Sequence, residues 1–169
     1  MKNILLLMIV LIGLVACNDS ETKPVHFPSH AYTIANVSME STDTTYLVYV
    51  PIYSDIYHKD GSKRILLTAT LSIRNTDLHD TLYLFSIDYY NSEGDHIKNY
   101  LQDPLQVKPM ESLEFIVEES EKKGGAGANF LVHYGGKYNL NHPVIQAVMI
   151  GTSGQQGLSF TTDAVDIHP

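Results

Sequence analysis

Between residues 67 and 74 apolar and polar side chains alternate without a break, Leu67, Ala69, Leu71 and Ile73 against Thr68, Thr70, Ser72 and Arg74. A period of two sends one set to a core and the other to solvent, which a strand does and a helix cannot. The same pattern recurs down the chain. Tyr46-Leu47-Val48-Tyr49-Val50 is aromatic and β-branched, and Pro51 marks a strand end, an edge or a bulge. Leu82 to Tyr90 reads as a strand with Tyr83, Phe85, Ile87 and Tyr89 on one face, and Leu113, Phe115 and Val117 alternate with Glu114, Ile116 and Glu118. His96–Leu101, Leu105–Val107, Phe130–Tyr134, Val144–Ile150 and Leu158–Thr161 complete the set, with turn chemistry at Asp60-Gly61, Asn75-Thr76-Asp77, Asn91 to Asp95 and Lys108-Pro109. Helical periodicity is nearly absent. Short strands separated by turn residues predict an all-β sandwich of about seven to nine strands.

The first seventeen residues read differently. Lys2 precedes an apolar run, Ile4 to Ala16, that is too short to span a bilayer and ends at Cys17, the single cysteine. A basic start, a short apolar stretch and small residues before a boundary make a secretory signal. Leu14-Val15-Ala16-Cys17 resembles the lipobox of bacterial lipoproteins, with polar Asn18-Asp19-Ser20 behind it. That resemblance implies cleavage before Cys17, a diacylglycerol on its sulfur and a further acyl chain on its amine. Several chains anchor firmly where one holds only marginally. The expected division is a signal peptide at 1–16, an acylated Cys17 with a tether over 17–30 broken by Pro24 and Pro28, and one β domain over 31–169. The expected location is the cell envelope, lipid-anchored to a membrane and facing the periplasm or exterior. In a two-membrane cell Asn18, where retained lipoproteins carry aspartate, points to the outer membrane.

Composition removes some function classes. The formal net charge is -8. An acidic chain without a basic stripe does not suit nucleic acid, since Lys63-Arg64 and Lys122-Lys123 are isolated pairs. With its one thiol carrying lipid, the mature chain can form no disulfide and has no cysteine nucleophile.

The segments Leu71 to Asp77, Ser86 to Gly94 and Lys108 to Phe115 resemble the middle of immunoglobulin-like envelope domains, with an Arg-Asn-Thr turn, a Tyr-x-x-x-Gly hairpin and a Pro-x-Glu-Ser corner. This implies an immunoglobulin-like sandwich, without the inter-sheet disulfide and core tryptophan of antibody domains. The mature chain also resembles an uncharacterised bacterial lipoprotein family, domain of unknown function thirty-one twenty-four. The resemblance rests on Tyr49 to Ser54, Leu67 to Thr76, Gly125 to Phe130 and Ala147 to Gly157. That family implies no activity.

Two loops are candidate ligand sites. Gly151-Thr152-Ser153-Gly154-Gln155-Gln156-Gly157 follows an apolar strand and can expose backbone N–H groups as an anion nest, or be a plain bend between strands. It lacks the lysine of a phosphate-binding loop, and Gln155 stands where a nucleophile elbow needs glycine. Gly124-Gly125-Ala126-Gly127-Ala128-Asn129 has the composition of a long mobile hairpin tip, the default for such residues, and would also allow close approach of a ligand at Gly124, Gly125, Gly127 and Asn129. Together the two would form a rim if they lay at one end of the sandwich. Eight histidines show no zinc-type spacing beyond His26 and His30 in the tether; Asp55, His58 and Asp60 cluster near a hairpin, as surface turns commonly do. The carboxylates Glu111, Glu114, Glu118, Glu119 and Glu121 fall mostly on a solvated strand face.

No catalytic set, metal site or cofactor is expected. The leading expectation is a non-catalytic binding or assembly module of the envelope, with the membrane and an envelope protein as partners. Two alternatives remain: a small-ligand or metal-handling periplasmic protein using Gly151–Gly157, and a serine hydrolase using Ser153.

Overall fold

A computed structural model describes residues 32–167. Cys17, the signal, the tether and the first residue of the expected β domain lie outside the described residues, as do His26, His30 and His168. The chain runs through β1 (Thr33–Ile34), a 3-10 turn at Met39–Ser41, β2 (Thr44–Pro51), β3 (Asp55–His58), β4 (Lys63–Leu66), β5 (Thr68–Arg74) and β6 (Leu82–Tyr90). It continues through β7 (His96–Asn99), β8 (Leu105–Val107), β9 (Ser112–Val117), β10 (Asn129–Gly136), β11 (Val144–Ser153), β12 (Gln156–Asp163) and β13 (Val165–Ile167). Among the described residues there is no α-helix.

The strands form an all-β sandwich. One seven-stranded sheet has the order β1-β8-β6-β10-β2-β13, with β7 also on β6; the other is β12-β11-β5-β9; β3 and β4 make a separate hairpin. Every pairing is antiparallel. The thirteen strands among the described residues exceed the number legible in the sequence, yet seven of them have six or more residues. The others are two- to four-residue segments, too short to show an alternation.

The interior is one cluster fed by both sheets: Ala69, Leu71 and Ile73 of β5, Ala147 and Met149 of β11, and Phe115 of β9 meet Val50, Ile87, Tyr89, Phe130 and Val132 from the larger sheet. Alternation alone misassigns β6. Leu82 and Leu84 point inward with Ile87 and Tyr89, whereas Tyr83 and Phe85 are only half-buried. The cause is a β-bulge: His133 pairs with Ser86 but Tyr134 pairs with Leu84, so Phe85 is an extra residue and the inward phase flips across it.

Between β5 and β6 the chain is held by buried polar side chains. Asn75 Nδ2 donates to the carbonyls of Asp80, Val107 and Lys108 at 2.8, 3.0 and 3.1 Å. Asp77 accepts from the backbone N–H groups of His79, Asp80 and Asn141. These three donors depress the Asp77 carboxyl to about 2. After β12 the chain crosses to the other sheet, where β13 pairs with β2 and Thr162 Oγ1 donates to the Pro51 carbonyl.

Candidate functional site

The connection from β9 to β10 carries the glycines Gly124, Gly125 and Gly127, and two serines from distant segments clamp it. Gly125 N–H donates to Ser54 Oγ at 2.7 Å, and Ser54 N–H donates back to the Gly125 carbonyl at 3.2 Å. Ser92 N–H and Oγ both donate to the Gly124 carbonyl, at 2.9 and 3.0 Å, while Gly127 N–H donates to Ser92 Oγ at 2.8 Å. Because β9 and β10 lie in different sheets, this connection is a crossover between sheets, which corrects the expectation of a hairpin tip, and these bonds tie it to two distant segments. Small residues are required by what lies beneath. A methyl on Gly124 would fall 1.9 Å from Tyr89 Oη, and Gly125 has φ +82. Asn129 opens β10, opposite Pro51 and Tyr90.

Tyr89 itself is buried, and its hydroxyl makes no hydrogen bond among the described residues. Burial pushes that phenol up to about 12, against a smaller opposing influence from Ser54. The tyrosine therefore stays neutral under the glycine loop.

A groove of about 480 Å³ is bounded by Gly124 to Gly127, Ser92 and Glu93, the hairpin residues Asp55, Tyr57 and Arg64, and the pair Lys122-Lys123. Asp55 is buried and holds Arg64 at 2.6 Å. That hydrogen bond raises the guanidinium pKa. Arg64 also stacks over the Tyr57 ring, 4.4 Å from its centroid, and donates to Tyr57 Oη at 2.8 Å. Lys122 and Lys123 are exposed and join no ion pair among the described residues. Three of the chain's eleven lysines and arginines thus face one groove, where Asp55 is already engaged and Glu93 is the other acid. The fold brings together Lys122-Lys123 and Arg64, which look unrelated in sequence. A polar ligand with an anionic group fits this lining.

The other loop takes a different form. Ser153 and Gln156 pair across Gly154-Gln155, with φ +65 at Gly154 and no positive φ at Gln155, the pattern of a type II′ hairpin turn. Thr152, Gly154, Gln155, Gln156 and Gly157 are exposed, and no histidine bonds Ser153 among the described residues. Gly151 is a close-packing glycine: a methyl there would lie 2.5 Å from Leu67 Cδ2 and 2.8 Å from the Leu66 carbonyl. Because Leu67 N–H donates to the Ser54 carbonyl and Gly125 brackets the same serine, both glycine loops do lie at one end of the sandwich. Of the residues expected at a ligand site, Gly124, Gly125 and Gly127 line the groove; Asn129 and residues 151–157 do not.

Among the described residues no three His, Cys, Asp or Glu side chains converge to hold a metal ion. Asp60 accepts from Ser62 N–H, and His58 sits at the turn end of β3 opposite Lys63. His96 Nε2 meets Asp88 Oδ1 at 3.0 Å. Burial lowers the His133 pKa. His142 Nδ1 lies 3.2 Å from Tyr134 Oη and, with Asp163 and Asp166, lines a second cleft of about 370 Å³.

Sequence reasoning missed Ser54, Tyr57, Arg64 and Ser92 as groove residues. Serine clamps leave no spacing signature, because their partners are 71 and 32 residues away.

The structure is similar to the crystal structure of Thermotoga maritima 1070, with 14% sequence identity, a TM-score of 0.41, and coverage of 73% of this chain and 96% of that one. No curated protein matches the sequence. The model of a family described as protein of unknown function, DUF3124, matches residues 45–167.

Proposed function

We propose, for a chain that belongs to the DUF3124 family of proteins of unknown function, a lipid-anchored binding module of the bacterial cell envelope. In this reading Cys17 carries the anchor, and an immunoglobulin-like sandwich presents its end groove to the periplasm or exterior. The module does no covalent chemistry. It captures a ligand bearing a carboxylate or phosphate.

The observation that carries the reading is the groove itself. Its glycine wall is pinned by Ser54 and Ser92, so the site is preorganised, and Lys122 and Lys123, which join no ion pair among the described residues, line the same groove as Arg64. Loops held on a rigid sandwich are where binding sites usually form. A wall that need not be ordered on binding avoids part of the entropic cost.

Titration of the isotope-labelled protein with citrate and with inorganic phosphate tests this. The expected result is saturable shifts of the Gly124, Gly125, Gly127 and Tyr57 amide signals. Lys122→Glu with Lys123→Glu should weaken binding about tenfold or more, two surface charge contacts and their reversal amounting to over 1.4 kcal/mol. Shifts scattered over the surface, or unchanged affinity in the double variant, would refute the reading.

A further inference from the structure

At the end of the sandwich opposite the groove, three connections meet on one turn. Asp77, between β5 and β6, accepts from Met110 N–H at its carbonyl, 3.2 Å, and from Asn141 N–H at Oδ2, 3.1 Å. Lys137 pairs with Asp80 of the same turn. The β5–β6 turn, the β8–β9 turn and the β10–β11 connection therefore stand side by side. Each exposes one large apolar side chain. Tyr138 is 81% exposed, Leu78 66% and Met110 66%, the highest values for any large apolar residue among the described residues. Apolar side chains scattered singly over a surface need no explanation, whereas the three most exposed gathered on neighbouring loops mark a contact surface.

The chain enters the domain at this same end. β1 pairs antiparallel with β8, Thr33 against Gln106, so stepping back to Tyr32 leads toward Val107 and the turn that carries Met110. Tyr32 is fastened there, its ring stacked on Phe115 at 5.4 Å and its hydroxyl donating to the Glu114 carbonyl at 2.8 Å. Residues 18–31 connect this point to Cys17. Fully extended, that length of chain spans about 50 Å, so a tether limits the stand-off of the domain without deciding which face it turns to the bilayer.

We infer that this end seats on the lipid surface, with Leu78, Met110 and Tyr138 entering the boundary between headgroups and acyl chains. The inference rests on the reading of Cys17 as a lipid anchor. A bilayer is the occupant because the covalent route to it leaves the domain at these loops. A tyrosine suits that boundary, where its ring is buried and its hydroxyl stays wet, and leucine and methionine reach further in. Nearby charges balance, Arg74, Lys108 and Lys137 against Asp43, Asp80 and Glu111, so apolar insertion drives the contact and headgroup charge does not. β10 runs its eight residues from Asn129 at the groove end to Gly136 beside the Tyr138 loop. At about 3.4 Å per residue, the groove then opens about 27 Å above the lipid, facing away from it.

The chain has no tryptophan, so Leu78→Trp, Tyr138→Trp and Gln155→Trp each supply a single reporter, the last at the groove end. The test uses the full-length chain isolated from membranes and reconstituted into phosphatidylcholine vesicles, with and without bromine on the acyl chains. Emission from positions 78 and 138 should shift to the blue and be quenched by the brominated lipid, while position 155 shows neither. Adding Leu78→Ser and Met110→Asn to the Tyr138→Trp chain should abolish the quenching with the circular dichroism unchanged, since asparagine tolerates the positive φ of 62 at position 110. Palmitate-analogue labelling of the same samples reads the anchor separately. A labelled chain whose reporters at 78 and 138 stay unquenched overturns the inference and leaves the anchor standing. An unlabelled chain removes the anchor; quenching at 78 and 138 then still supports the seating, and its absence overturns it. Emission that is blue-shifted yet unquenched means that a second copy or another protein covers the tips, and overturns the inference, as does equal quenching at all three positions.

Discussion

At the scale of single residues, Gly124 and Tyr89 form one unit. The glycine exists because a phenol occupies the space a methyl would need, and that phenol has no hydrogen-bond partner among the described residues. Gly124→Ala should destabilise the domain by about 1–3 kcal/mol through overpacking. Tyr89→Phe should be within about 0.5 kcal/mol of the parent or slightly stabilising, because it deletes an unsatisfied hydroxyl and keeps the ring. In the double variant the cost of Gly124→Ala should fall, since the closest clash is gone and the next atoms lie 2.9 to 3.0 Å away. A double-mutant cycle by chemical denaturation measures this coupling, and additive effects would show that the hydroxyl is not what excludes a side chain. Arg64 is the contrasting case. Its guanidinium is held by Asp55 and by the Tyr57 ring and hydroxyl, so it shapes the groove as well as charging it.

At the scale of elements, the turn between β5 and β6 ties both sheets together, and its stability depends on an ionised carboxylate. Asp77 has an ordinary value of 3.8 and is lowered to about 2 in the fold by three backbone donors. A folded-state value below the unfolded one means the contribution is fully present above about pH 4. It is lost as pH falls toward 2, where the folded state too binds the proton. Denaturation midpoints measured from pH 5 to pH 2 should therefore drop across that window, and Asp77→Asn should flatten the drop. A slope unchanged in the variant would place the acid sensitivity elsewhere. The glycine connection from β9 to β10 behaves as an element in the same way. Its backbone groups are satisfied by Ser54 and Ser92, so an irregular segment has a fixed shape.

At the scale of the whole molecule, the proposed anchor and the groove make separate demands. Tethering predicts that the Cys17→Ser chain loses palmitate-analogue labelling and shifts out of detergent-free membrane pellets, both read by fractionation of intact cells. A variant that stays pelleted and labelled would remove the anchor from the account. The local pattern carried much of the fold. β5 is visible as Leu67 to Ile73 alternating with Thr68 to Arg74, because a half-buried strand writes its two faces into the sequence at period two. Pro51 ends β2 and the Asp60-Gly61 turn joins β3 to β4, for equally local reasons. The bulge at Phe85 was not legible, since an extra residue in a ladder is defined by the strand opposite it. Neither was the convergence of Arg64 with Lys122 and Lys123 on one groove. Alternation, turn chemistry and the cysteine behind its apolar run are one-dimensional facts, so an all-β class and a candidate anchor follow from residue order. Which distant side chains share a groove, and which strand is left without a neighbour, depend on how the two sheets close on each other.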